Sequence, residues 1–422
     1  MNRPKPTNSQ LAIPTVSRRL PDGRLVELVF DPEAKHTRLA VGCGTVITIE
    51  KEIEGEGGWK LVPYSATNNL IKHGVLMLAA KPEPYGTIAD LVGDIERYLH
   101  RYVDFDERFE MLASYYVLLT WVYDAFNELP YLRFRGDYGS GKTRALFVVG
   151  SLCYKAFFAS GASTVSPIFH TLDEFRGTLV IDEADFRFSD EKAEMSKILN
   201  NGNVRGFPVL RTQVTQKKEF EPRAFNVFGP KLVAMRRSFE DQALESRFFT
   251  EEMGRKTLRG DIPINLPESQ KAEALALRNK LLSYRFERLP KIRIDATLVD
   301  PALSPRLNQI LVPLLSIVDD EGLRDRIKSM AHDLDADLQA KRSATPETII
   351  RSLLSDAFKG GRQTVSVGEL ANCLRQELGD DNGRPFTSRY VGELLRQRLG
   401  IRAYKSHGIY VVGTPPTQHT GD

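Results

Sequence analysis

Residues 136–143 read GDYGSGKT, a complete G-x-x-x-x-G-K-[ST] phosphate-binding loop. The upstream run Leu129-Pro130-Tyr131-Leu132-Arg133-Phe134-Arg135 alternates like a short strand, and Arg144-Ala145-Leu146-Phe147-Val148-Val149 continues as a helix. Strand, loop and helix therefore follow in the order such a loop requires. Glycines at 136, 139 and 141 let backbone N–H groups turn inward around phosphate oxygens, and the helix start adds its positive dipole end. In this pattern Gly136, Gly139, Ser140, Gly141, Lys142 and Thr143 line a nucleotide phosphate site; Lys142 reaches the β and γ phosphates, and Thr143 holds Mg²⁺. A glycine-rich turn that merely carries Lys-Thr is the bland alternative, and the next motif argues against it.

About 40 residues on, Gly177-Thr178-Leu179-Val180-Ile181-Asp182-Glu183-Ala184-Asp185 is a short apolar run ending in acids. It reads as a buried parallel strand that delivers its terminal carboxylates to the sheet edge where ligands bind. Asp182 is placed for the Mg²⁺ shell and Glu183 for orienting or deprotonating a water. Asp185 carries no assigned chemistry.

With 422 residues and 41% hydrophobic side chains, there is material for about two to four packed domains. A net charge of +3 argues neither for nor against nucleic acid, so local charge must decide. Cys43, Cys153 and Cys373 form no C-x-x-C pair, which fits a reduced, cytoplasmic chain. The polar, Pro-rich start has no apolar stretch of a secretory signal. The most apolar segment, Met111 to Phe126, falls short of the ~20 residues a bilayer needs, so no membrane partner is expected.

Along the chain, residues 1–86 read as a small β-rich N-terminal domain, with turn signals at 21–23, 42–44 and 55–58. Residues 87–260 read as two helices followed by strand, loop, helix, strand, helix, strand, the α/β order of a doubly wound sheet whose next strand is Lys231 to Met235. Residues 261–343 read as a helical lid built on Pro267 to Leu289 and Ser304 to Val318. Residues 344–422 give helices over Ile349–Phe358, Val367–Leu378 and Thr387–Leu399 and a hairpin broken at Ser406-His407-Gly408, the order of a winged helix.

Taken together, GDYGSGKT, LVIDEAD and FGPKLVA resemble the AAA+ ATPases of plasmid, phage and integrated-element replication, a set similar to minichromosome-maintenance and superfamily 3 helicases. The resemblance covers roughly residues 85–340. It implies a P-loop AAA+ core that hydrolyses ATP with Mg²⁺ between subunits of a homo-oligomeric, hexameric ring acting on single-stranded or forked DNA, with a separate primase or replication protein as partner. It further implies an arginine finger at Arg247, within Leu244-Glu245-Ser246-Arg247-Phe248, and a γ-phosphate contact at Arg306, which is equally an ordinary solvated residue at a helix start. The asparagine the family carries after the next strand is replaced near Arg236 or Arg237.

Two segments suit nucleic acid. The insertion from Arg205 to Phe220 reads as a hairpin with Arg211, Lys217 and Lys218 as phosphate contacts, or as an edge kept soluble by charge. The third tail helix carries Arg389 and Arg396 opposite Val391, Leu394 and Leu395, suited to DNA although winged helices also bind proteins. A nucleotide-switched DNA-binding, defence or regulatory ATPase without unwinding is the competing expectation.

Overall fold

The computed structural model describes residues 11–413 except 56–58, 162, 185–188, 215–219, 240, 344 and 380–384. They form two compact units, residues 1–332 and 333–422.

At the centre of the first unit is a five-stranded sheet in which every pairing is parallel. From one edge to the other run the outer strand Phe248–Glu252, the loop strand Tyr131–Arg135, the middle strand Lys231–Met235, the acidic strand Leu179–Asp182 and the far strand Phe157–Ser160. Parallel neighbours need long crossovers, and helices Lys142–Gly150, Val165–Phe175 and Ser189–Asn201 supply cover on the faces. Such a sheet is buried on both faces, which is why the middle strand is buried at all five positions, Lys231 included. The same burial overrides the alternation read at Tyr131–Arg135: Arg133 is internal, not solvent-facing. Registers Met235↔Arg135, Glu252↔Arg135 and Asp182↔Ser160 align the carboxyl ends, so the residues after each strand emerge along one edge.

The N-terminal β-rich segment contributes a four-stranded antiparallel sheet, with Leu25–Asp31 and His36–Cys43 at its centre, and a smaller sheet in which Leu11–Thr15 runs parallel to Trp59–Pro63. A buried ionic cluster ties this segment to the core. Glu27 accepts from Arg285 Nε at 2.7 Å, Lys155 Nζ lies 2.8 Å from its other oxygen, and Arg285 also grips Asp124 at 2.7 and 2.8 Å. Burial alone would raise the Glu27 pKa, but Arg285 and Lys155 outweigh it and hold the carboxyl down at about 2.

Helix Ser269–Arg288, read from the sequence as part of a lid, bonds to two other parts of the first unit. Its Arg278 donates to the carbonyls of Leu78 at 3.0 Å and Ser151 at 2.7 Å, and Asn279 accepts from Ala80 N at 2.9 Å. It thus joins the N-terminal segment to the end of the phosphate-loop helix.

The second unit packs Pro346–Lys359, Val367–Leu378 and Ser388–Gln397 around Ile350, Leu354, Leu370, Leu374, Val391 and Leu395. Thr345, Ser366 and Thr387 each cap a helix by accepting a backbone N–H of its first turn. A three-stranded antiparallel sheet completes it, its hairpin turning at His407 and Gly408, both at positive φ.

Candidate nucleotide and nucleic-acid sites

The phosphate loop leaves the loop strand and runs into helix Lys142–Gly150. Gly139 and Gly141 sit at φ +76° and +88°, the left-handed region that glycine enters without penalty. Gly136 is required for a different reason: a Cβ there would lie 2.5 Å from the Met253 carbonyl. The Lys142 ammonium bends over the loop, donating to the Asp137 carbonyl at 2.5 Å and to Ser140 Oγ at 3.3 Å. Thr143, in the first helical turn, is exposed. Backbone donors, a cation and a helix N-terminus thus surround one concave turn, the arrangement that fits a polyphosphate.

The chain after the outer strand wraps this loop, a feature sequence reasoning did not find. Met253 N donates to the Arg135 carbonyl at 2.6 Å, and Gly254, at φ +80°, packs against Ser140. Further on, Arg144 donates to the carbonyls of Pro263, at 2.6 Å, and Ile264.

Asp182 ends the acidic strand and its Oδ1 accepts the N–H of Glu183 at 2.9 Å. Glu183 has φ +53°, an unusual conformation for a residue with a Cβ, and its side chain is exposed. Neighbouring bonds enforce the bend: Ala184 N donates to Ala234 O at 3.0 Å and Gly161 N to Asp182 O at 2.9 Å. Because the middle strand stands between the loop and acidic strands, Arg236 and Arg237 emerge, exposed, between the loop and the acids. One sheet edge therefore brings together Gly136–Thr143, Asp182, Glu183, Arg236 and Arg237. Among the described residues no group of three or more His, Cys, Asp or Glu is placed to hold a metal ion. The Thr143 hydroxyl and Asp182 carboxylate are a donor set suited to Mg²⁺, which keeps several waters and phosphate oxygens of its own.

Arg247 and Arg306 are not at that edge. Tyr131 N donates to the Arg247 carbonyl at 2.8 Å, placing Arg247 where the loop and outer strands begin. The loop leaves the other end, about 16 Å away for a five-residue strand. The Arg247 guanidinium is nearly buried and donates to Asn203 Oδ1 at 2.9 Å, Asn200 Oδ1 at 2.6 Å and the Ala243 carbonyl at 2.7 Å. Burial lowers its pKa, and the charge of Arg306 adds to that. Arg306, expected at a γ-phosphate, stands beside Arg247 instead of beside its own chain's loop: it is exposed and donates to the same Ala243 carbonyl at 3.1 Å.

The insertion is a hairpin, Val209–Val214 paired with Phe220–Phe225. Arg211 does not extend from it as a free phosphate contact. It is bound to Glu194 at 2.7 Å and lies over the Phe169 ring, because the Phe169–His170–Phe225 aromatic contact seats the root of the hairpin on helix Val165–Phe175. Lys217 and Lys218 lie outside the described residues. Leu210 and Phe220 are large apolar side chains of this hairpin that stand exposed.

In the second unit, Arg389 and Arg396 are exposed on Ser388–Gln397, opposite buried Val391, Leu394 and Leu395. Arg389 makes a 3.5 Å contact with Glu393. No described helix is long and apolar enough to cross a membrane.

No family model matches this chain, and no curated relative does. Among solved structures it is similar to the C-terminal region of NrS-1, residues 305–718, in its apo form. That likeness has 13% identity, covers 92% of this chain and 96% of that one, and has a TM-score of 0.40. It is also similar to the JCV helicase, with 13% identity over 59% of this chain and 61% of that one and a TM-score of 0.25.

Proposed function

We propose that the chain is an ATPase whose site is completed by a neighbouring copy and whose turnover drives movement on single-stranded or forked DNA. The observation that carries this reading is the separation of the two charged edges: Lys142, Asp182 and Glu183 at one end of the sheet, Arg247 and Arg306 at the other. The far pair cannot serve its own chain's loop across about 16 Å, yet an exposed arginine at a subunit boundary can serve the next.

Within one site, the loop amides and Lys142 hold the β and γ phosphates, while Thr143 and Asp182 hold Mg²⁺, which when bound neutralises phosphate charge. Glu183 orients the attacking water and accepts its proton. Arg306, with Arg247 behind it, meets the charge that develops on the neighbour's γ-phosphate. A ring of AAA+ type, hexameric by the resemblance noted above, places these edges in contact around a central strand. Arg389 and Arg396 of the winged-helix tail supply salt-sensitive contact to duplex or fork.

Unwinding of a labelled fork, with ATP turnover followed in parallel, tests the proposal. DNA-stimulated turnover and strand separation, both lost in Lys142→Ala and Glu183→Gln, are expected. Turnover without strand separation or translocation on any fork would instead establish the nucleotide-switched alternative.

A further inference from the structure

Between the two charged edges lies a buried ion pair that neither edge uses directly. Arg133, in the middle of the loop strand, binds Glu245 through both terminal nitrogens, at 2.5 and 2.7 Å, and donates from Nε to Thr250 Oγ1 at 3.0 Å. The two side chains are 3% and 7% exposed. Glu245 also accepts the N–H of Phe239 at 2.5 Å, and the guanidinium lies 5.2 Å from the Phe248 ring centre. Buried pairs of this kind seldom stabilise a fold more than apolar side chains of equal volume, so the pair calls for another role.

Its position supplies one. Glu245 is the last residue of the four-residue helix Gln242–Glu245, whose Ala243 carbonyl receives both Arg247 and Arg306. The N-cap of that helix, Asp241, is held by Asn200 at 3.2 Å, and Asn200 also accepts from Arg247. At the other end Arg133 stands three residues before Gly136, and Arg135 donates to Ser238, one residue before Phe239. A continuous set of short bonds therefore runs from the base of the phosphate loop to the helix that aims the two arginines.

We propose that Arg133 and Glu245 are positioning residues: they fix the helix Gln242–Glu245 so that Arg306, backed by Arg247, is presented to the next copy, and they tie that presentation to the chain's own loop strand. This rests on the shared-site reading above. The pair touches no nucleotide, so its loss acts on the neighbour's turnover and spares the chain's own phosphate binding. Misplacement by about 1 Å at such a site lowers turnover about 10²-fold.

The test is complementation by mixing. A chain carrying Arg133→Met and Glu245→Leu together retains an apolar interior; where it melts early, Glu245→Gln alone replaces it. Alone, the variant binds a fluorescent ATP analogue with unchanged Kd and turns ATP over about 10²-fold more slowly. Mixed with Lys142→Ala, whose loop is dead but whose arginine edge is intact, it recovers turnover well above the sum of the two separate preparations. An Arg306→Ala plus Lys142→Ala mixture is the control. If the control recovers and the pair variant does not, the pair acts within its own chain and the positioning role is overturned. If the control itself fails, the shared-site reading falls and takes this proposal with it. Unchanged turnover in the pair variant alone also overturns it.

Discussion

Arg247 and Arg306 donate to a single acceptor, the Ala243 carbonyl, at 2.7 and 3.1 Å. Two cations sharing one oxygen repel each other, and the Asp241 carboxylate offsets part of that repulsion at Arg247. The two differ in cost. Arg247 satisfies Asn200 and Asn203 inside the protein, whereas Arg306 is exposed. Arg306→Ala is expected to leave the melting temperature unchanged while lowering turnover about 10³-fold or more. Arg247→Ala lowers both, with about 1–3 kcal/mol of stability lost from unpaired buried amides. Thermal melting beside ATP turnover separates the two.

Glu183 offers a contrast between stability and activity. Its φ of +53° costs about 1–2 kcal/mol for most residues and less for asparagine. Glu183→Asn is therefore expected to melt at or above the parent temperature while turnover falls about 10²–10⁴-fold, the range for loss of a general base. A variant that is both less stable and fully active would remove Glu183 from the chemistry.

The Glu27 cluster makes acid stability a sensitive measurement. The folded carboxyl is held at about 2 against an ordinary 4.5, so the unfolded chain binds the proton more tightly. Its contribution is complete above pH 4.5, shrinks as pH falls through that value and is gone below about 2. Glu27→Gln leaves Arg285 and Lys155 buried without their shared anion, a loss of about 3–5 kcal/mol at neutral pH. The difference in denaturation midpoint between parent and variant should narrow steadily between pH 4.5 and 2.

Nucleic-acid contacts are separable by salt. Arg389→Ala and Arg396→Ala should each weaken binding to forked DNA and reduce the slope of log affinity against log salt by about 1. Arg211→Ala should leave that slope unchanged, since Arg211 is committed to Glu194 and Phe169 within the chain. Fluorescence anisotropy across a salt series distinguishes them.

Motifs whose chemistry is local were legible from the residues alone. GDYGSGKT, the acidic strand, the strand Lys231–Met235 and the three tail helices with their hairpin all stand where periodicity and turn residues place them. What escaped depends on partners distant in sequence. Phe157–Ser160 and Phe248–Glu252 are short and carry no strong alternation; only pairing in the sheet makes them strands. The alternation at Tyr131–Arg135 says nothing about whether helices cover both faces, so the burial of Arg133 was not legible. Lys231 opens a strand like an edge charge, yet it is buried with its ammonium donating to the carbonyls of Gly202, Val227 and Gly229. Pairings such as Arg133 with Glu245, 112 residues apart, have no sequence signature.

The shared site is tested most directly by ATP turnover per chain measured over a dilution series, with the assembly state followed at each concentration by mass photometry. Turnover per chain that collapses as the assembly dissociates to single chains is the expected result. Undiminished turnover by isolated single chains would contradict it, since no arginine of the far edge can then reach the phosphate loop.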